Sequence, residues 1–239
     1  MNILIPLGSG SVWQDNELRY ALRGVEKHLK GFGEVVIVGE KPSWLTNVIH
    51  IPAEDRWQAC YRDFNIYNKI RLAIDSYSLG EEFLFMNDDH FLLQDVEACL
   101  FPYHYQHSLH NSIKLRENNS QYKKVLTNTL NLLVSRNASI IDFDTHAPII
   151  YNSKKFLQHV SSVDWSKPCG YGIKSLYCNL NNIEGIHYDD CKLIEPLLKE
   201  EILSTIAGRM YFSIGNRSLN DEMKAVLNDL YPEKSRFEL

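Results

Sequence analysis

Nothing in this sequence is long, apolar and uninterrupted enough to cross a membrane: no run approaches the roughly 20 residues that a helical span requires. The opening Met1-Asn2-Ile3-Leu4-Ile5-Pro6 lacks the basic start and cleavage site of a secretory signal, which sets the expectation of a cytoplasmic protein. Cysteine is scarce and poorly spaced for metal or disulfide work. The five, at positions 60, 99, 169, 178 and 191, form no Cys-x-x-Cys pair, so they are expected as small buried residues. Charge of either sign is modest. The 30 acidic and 25 basic residues leave a formal net charge of -5, which gives nucleic acid no global attraction. The dinucleotide fingerprint Gly-x-Gly-x-x-Gly is also incomplete, because Trp13 stands where its third glycine belongs.

What is present is a globular composition, 44% hydrophobic and 23% charged over 239 residues, enough for one α/β domain with a sizeable core. The stretch Phe83-Leu84-Phe85-Met86-Asn87-Asp88-Asp89-His90-Phe91-Leu92-Leu93 encloses two carboxylates between apolar runs of strand length. Open α/β sheets place ligands at such strand ends. Adjacent carboxylates repel each other and resist desolvation, so the pair reads either as held by a divalent cation or a cationic partner, or as a solvated Asp-Asp turn.

Around this stretch the chain alternates strand and helix, as an α/β fold requires. Asn2 to Leu7 is a strand, and Gly8-Ser9-Gly10-Ser11 is a loop whose backbone amides can approach a diphosphate or simply turn the chain. Asp15 caps a helix running to about Lys30, with Leu18, Leu22, Val25 and Leu29 inward and Arg19, Arg23 and Glu26 forming an outer stripe. Such arginines meet phosphate with bidentate geometry, or pair structurally. Glu34 to Gly39 and Val48 to Ile51 are strands. A connection carrying Asp55, Arg56, Trp57 and Arg62 is placed to cover a substrate, and Asn65 to Leu79 is a helix. Residues 98–136 read as a helical insertion, with the clear pattern from Tyr122 to Val134. His104, His107 and His110 share a three-residue spacing that suits one helical face and hence a metal, or an aromatic-packed surface. His146, in Asp144-Thr145-His146-Ala147-Pro148, is held by a Pro-fixed turn, which suits a metal ligand or a general base. Ser153 to Val160 is a short helix, 165–172 a loop, 174–182 a polar-aromatic stretch, Met210 to Ile214 a strand and Asn220 to Leu230 a helix.

Three stretches together carry a resemblance. Asp15 to Lys27 with Val36-Ile37-Val38, Pro42-Ser43-Trp44-Leu45 and Phe83 to Asp89 resembles one conserved block of the Stealth family. His146-Ala147-Pro148 is similar to the next block, and Tyr231-Pro232-Glu233-Lys234-Ser235-Arg236-Phe237-Glu238 to the close of the last. The family's first block is absent. The resemblance implies a single-domain, glycosyltransferase-A-like α/β fold spanning 1–239, a mixed sheet flanked by helices, and a transferase using a nucleotide-sugar donor. On this reading Asp88 and Asp89 hold Mg²⁺ or Mn²⁺ on the diphosphate of a donor expected to be a UDP-sugar. His146 is a third ligand or the base for the acceptor hydroxyl. Arg19 and Arg23, with Gly8, Ser9 and Gly10, receive the donor's phosphates, and Asp89 and Arg23 join His146 as catalytic groups. The acceptor is a glycan or another hydroxyl compound. With the first block missing, glycosyl transfer and Stealth-type sugar-phosphate transfer both stay open. So do a non-catalytic nucleotide-sugar or glycan-binding module and a glycosyltransferase of modified DNA bases using Lys114, Arg116, Lys123 and Lys124. Net charge disfavours the last.

Overall fold

Every second side chain of the first strand faces a different helix layer, and the architecture follows from that alternation. β1 (Asn2–Leu7) sends Ile3, Ile5 and Leu7 to one face, where they pack on Leu18, Leu22 and Val25 of α1 (Asn16–His28). Leu4 points the other way, towards Tyr67, Ile70 and Ala73 of α2 (Arg62–Ser76). In the computed structural model of the chain, residues 1–56, 62–118 and 120–239 are described. Trp57 and Cys60 lie outside them; the other four cysteines are free thiols.

β2 (Val35–Gly39), β3 (Ile49–Ile51), β4 (Glu82–Phe85) and β6 (Ile149–Asn152) complete the main sheet, while β5 (His90–Leu92) leaves it just after the acidic pair. The strand order is β6-β4-β1-β2-β3. β1 is parallel to both neighbours, with Ile3 opposite Val35 on one side and Leu84 on the other, and β3 is parallel to β2. Only β6 runs antiparallel, Ile150 opposite Leu84. A strand buried on both faces needs an unbroken apolar run, which is what Val35-Val36-Ile37-Val38 and Phe83-Leu84-Phe85 provide.

A second, smaller sheet pairs β5 with β8 (Tyr211–Ile214) antiparallel, and β8 with β7 (Lys192–Leu193) parallel. Its core is Phe91, Phe212, Ile214 and Leu193, covered by Ile202 of α6 (Lys199–Ile206) and by Met223, Val226 and Leu227 of α7 (Asp221–Leu230). The acidic pair therefore stands where one sheet hands the chain to the other.

α3 (Leu109–Lys114) and α4 (Gln121–Ser135) form most of the expected insertion, α4 within a residue of the helical pattern at each end. They are built into the common core: Leu109, Leu126 and Leu133 are fully buried in the same cluster as Leu4 and Phe83. α5 (Ile173–Leu180) occupies the stretch read as merely polar-aromatic. Asp15 sits at the start of α1 but makes no side-chain cap; it is left-handed at φ 57°. Ser11 does the tying, its Oγ accepting the Trp13 and Asp15 N–H groups and donating to Glu17. No described helix is long and apolar enough to cross a membrane.

Candidate functional site

The carboxyl ends of β1 and β4 open into three adjoining cavities. The first, about 220 Å³, lies between Gly8, Gly10 and Ser11, the pair Asp88 and Asp89, and the Gly215-Asn216 turn after β8. A second, about 250 Å³, runs from the same carboxylates to Asp55, Arg62 and Lys69. The third and largest, about 370 Å³, has Asn87, Arg62, Asp144, His146, Lys174 and Lys192 in its wall. Gly8, Asp88 and Asp89 are common to the first two, and Arg62 and Asn87 to the last two.

The charges here are not balanced locally. Burial, then the negative charges of Asp89, Glu17 and Asp15, push the Asp88 carboxyl up to about 7. Among the described residues Asp89 has one cationic partner, Lys192, whose Nζ stands 3.2 Å from its Oδ2. Two hard carboxylate oxygens at a water-accessible cavity, one under strong electrostatic pressure, fit one side of a Mg²⁺ or Mn²⁺ shell. They do not complete it. Among the described residues no three His, Cys, Asp or Glu side chains converge on a metal position, Asp88, Asp89 and His146 included.

His146 is instead held by a residue the sequence reading passed over. Asp190 accepts the backbone N–H of His146 on Oδ1 at 3.0 Å and meets ring Nδ1 with Oδ2 at 2.6 Å. Burial alone would raise the Asp190 carboxyl, but the bonds and charge of His146 outweigh it and hold the group below its ordinary value. A second overlooked residue, Lys174 on the first turn of α5, donates from Nζ to the carbonyls of Thr145 and Ala147, both at 2.6 Å. Burial lowers its ammonium to about 8, against the pull of Asp144, Asp190 and Asp89. Asp144 is pushed up to about 7 by burial and by Asp142. Only glycine fits beside it, since a Cβ on Gly172 would lie 1.9 Å from its Oδ2. The doublet Asp189-Asp190 ahead of a short strand repeats the Asp-Asp pair of Asp88-Asp89, and that repetition was the available signal.

The arginine stripe goes elsewhere. Arg19 Nη1 lies 2.7 Å from Glu238 Oε2, and Arg23 Nε lies 2.7 Å from Glu238 Oε1. Arg23 also donates to the Tyr231 carbonyl, and Arg19 stacks 4.2 Å over the Trp44 ring. Neither lines any of the three cavities. The cations that do stand there are Arg62, Lys69, Arg116, Lys174 and Lys192. Of the loop glycines, Gly8 and Gly10 line the first cavity, while Ser9 is exposed. The histidine triplet is not one helical face: His104 is buried on a short strand with Nδ1 on the Tyr211 hydroxyl, His107 lies on the next strand, and His110 is exposed on α3. Of the basic group, Lys114 and Lys124 are exposed, Arg116 covers Tyr122, and Lys123 bonds Arg116 and Asn118.

No protein-family model matches the sequence, and no curated protein does. Solved structures do match over almost the whole chain. An active-site mutant of LgtC is 11% identical, with 98% of this chain and 96% of that one covered at a TM-score of 0.51. The galactosyltransferase LgtC in complex with donor and acceptor sugar analogues is 9% identical over 98% and 96%, at 0.49. A glycosyltransferase involved in glycosylation of the major capsid of PBCV-1 is 12% identical over 97% and 98%, at 0.42. Nothing in these likenesses points to the Stealth family in particular. At such identities the first of them speaks for architecture: the chain has a mixed α/β fold similar to the glycosyltransferase-A fold, with Asp88 and Asp89 just beyond the end of its strand β4.

Proposed function

We propose that this protein is a nucleotide-sugar-dependent glycosyltransferase, its reacting centre at the junction of the three cavities. The observation that carries the reading is the position of Asp88 and Asp89, at the end of β4 between a Gly/Ser loop and a cation-lined cavity. Asp88 and Asp89 would hold Mg²⁺ or Mn²⁺, which when bound would neutralise the donor's diphosphate. Gly8 and Gly10 let the backbone approach the phosphates closely, and Lys192 and Arg62 supply the offsetting charge in place of Arg19 and Arg23. His146 takes the proton of the acceptor hydroxyl.

The test is incubation with a panel of nucleotide sugars and Mn²⁺, with mass spectrometry of the released nucleotide. A nucleoside diphosphate is the expected product. A monophosphate means that phosphate travels with the sugar, as in Stealth-type transfer. Tight binding without release under any acceptor would reduce the protein to a binding module.

A further inference from the structure

His146 is fixed more completely than a turn residue needs. Asp190 holds its backbone N–H and its ring Nδ1, and Lys174 holds the carbonyls on either side of it. Pro148 follows two residues on. These bonds come from two distant parts of the chain, the segment before β7 and the first turn of α5. An ionised Asp190 can only accept, so the 2.6 Å contact places the ring proton on Nδ1. In the neutral ring Nε2 is then unprotonated, and no described side chain or backbone group bonds it. His146 lines the third of the three cavities and is one-third exposed, with a side-chain accessibility of 33%.

We propose that Asp190 and Lys174 are positioning residues, which lock His146 in the Nδ1–H tautomer and present Nε2 to the acceptor hydroxyl. This deepens the transferase reading and rests on it for the identity of the reacting group. As the hydroxyl oxygen forms its bond to the sugar anomeric carbon, its O–H bond breaks and the proton passes to Nε2. The bond from that carbon to the diphosphate oxygen breaks, and the nucleoside diphosphate leaves with the electron pair. The imidazolium formed is offset by Asp190, which stays ionised. Lys174 acts on geometry: with both flanking carbonyls tethered, the 145–147 backbone cannot swing the ring out of the cavity.

The first test needs no activity. Nitrogen-15 correlation spectra of the full chain, with the His146 signal identified by its loss in His146→Gln, should show a protonated Nδ1 and a bare Nε2. A wild-type ring protonated at Nε2 overturns the proposal outright. Asp190→Asn keeps an oxygen for the backbone N–H but turns an N–H towards Nδ1, so the tautomer should reverse. With it, kcat for nucleotide release from UDP-glucose, UDP-galactose or GDP-mannose in the presence of acceptor should fall roughly 100-fold or more, with the donor KM unchanged. Lys174→Met, which keeps the stem and removes both donors, should cost roughly tenfold in kcat by misplacing the ring. An Asp190→Asn enzyme with a reversed tautomer and an undiminished kcat leaves the clamp structural and sinks the positioning role. A wild-type protein that shows the expected tautomer but releases nucleotide from no donor sinks the transferase reading instead.

Discussion

Two charge clusters in this molecule are built from the same materials and finished differently. Around Glu238, two guanidinium groups meet one carboxylate, and its side chain is fully buried. Both oxygens are used: Oε1 accepts from Arg23 and Ser235, and Oε2 from Arg19 and Arg23. Burial raises that carboxyl, yet the bonds outweigh it and bring it down to about 2. Around Asp88 the finish is different: Asp88, Asp89 and Glu17 stand together, Lys192 is the one ammonium in contact with Asp89 among the described residues, and the Asp88 carboxyl is driven up to about 7. A closed network is complete without a ligand and contributes stability. The open one holds excess charge beside a cavity, which a folded protein keeps only where something else neutralises it.

The largest break in the comparison is Asp89→Ala. Turnover should fall roughly 100- to 1000-fold, because one of the two carboxylates proposed to hold the cation is gone. The melting temperature should hold or rise, since the repulsion on Asp88 is relieved. Unchanged metal-dependent donor hydrolysis in this variant would remove the acidic pair from the site. The opposite signature belongs to Glu238→Gln, with full specific activity at low temperature and a loss of about 3 kcal/mol in stability. Its pH dependence has a definite sign. The folded carboxyl titrates near 2 and the unfolded one near 4.5, so the contribution is complete above about 4.5 and is lost as pH falls towards 2. Urea unfolding of wild type and variant across that window should converge at the acid end. Curves that stay parallel would show that the network does not carry the linkage.

A smaller effect sharpens the same contrast. Lys192→Gln removes the cation bonded to Asp89, on a pair whose side chains are 24% and 18% exposed. Partly exposed pairs contribute roughly 0–1 kcal/mol to folding, so the melting temperature should barely move. The donor KM should rise roughly three- to tenfold through lost phosphate attraction. Arg23→Gln should do the reverse, lowering stability and leaving KM alone. A donor KM that responds to Arg23 and not to Lys192 would restore the arginine stripe to the site.

How much of this was legible depends on where the physics is local. Val35 to Val38 and Phe83 to Phe85 announce buried strands because a strand covered on both faces tolerates no polar residue. Asp88 and Asp89 are visible for the converse reason, carboxylates at the end of such a run. α5 is invisible to periodicity because its polar side chains point inward and are paired there. Ser175 Oγ accepts the Phe143 N–H, Asn179 bonds Ile141 through both its amide groups, and Lys174 holds two carbonyls. The arginines mislead because their partner lies 215 residues from Arg23, a separation that no helical spacing encodes. Asp190 stands 44 residues from His146 and is hidden in the same way.

The smallest effect tests whether an unpaired group near the site is enough to make a residue functional. Tyr151 on β6 is fully buried with no partner for its hydroxyl among the described residues, in an aromatic cluster with Tyr177 at 4.7 Å, Phe156 at 5.1 Å and Phe85 at 5.7 Å. Burial raises its phenol well above the ordinary value, so it stays neutral and carries no charge for a ligand to answer. An unsatisfied buried hydroxyl costs about 1–3 kcal/mol, and Tyr151→Phe removes the group while keeping the ring contacts. The variant should therefore match or exceed wild type in stability, by up to about 1 kcal/mol and roughly 2–4 °C, with nucleotide release unaltered. That result would separate Tyr151 from Asp88, whose ionisable carboxyl stands beside a cavity under the charge of Asp89. A variant of lower stability, or one with weakened donor binding, would mean that the Tyr151 hydroxyl has a partner in solution and belongs with the open cluster.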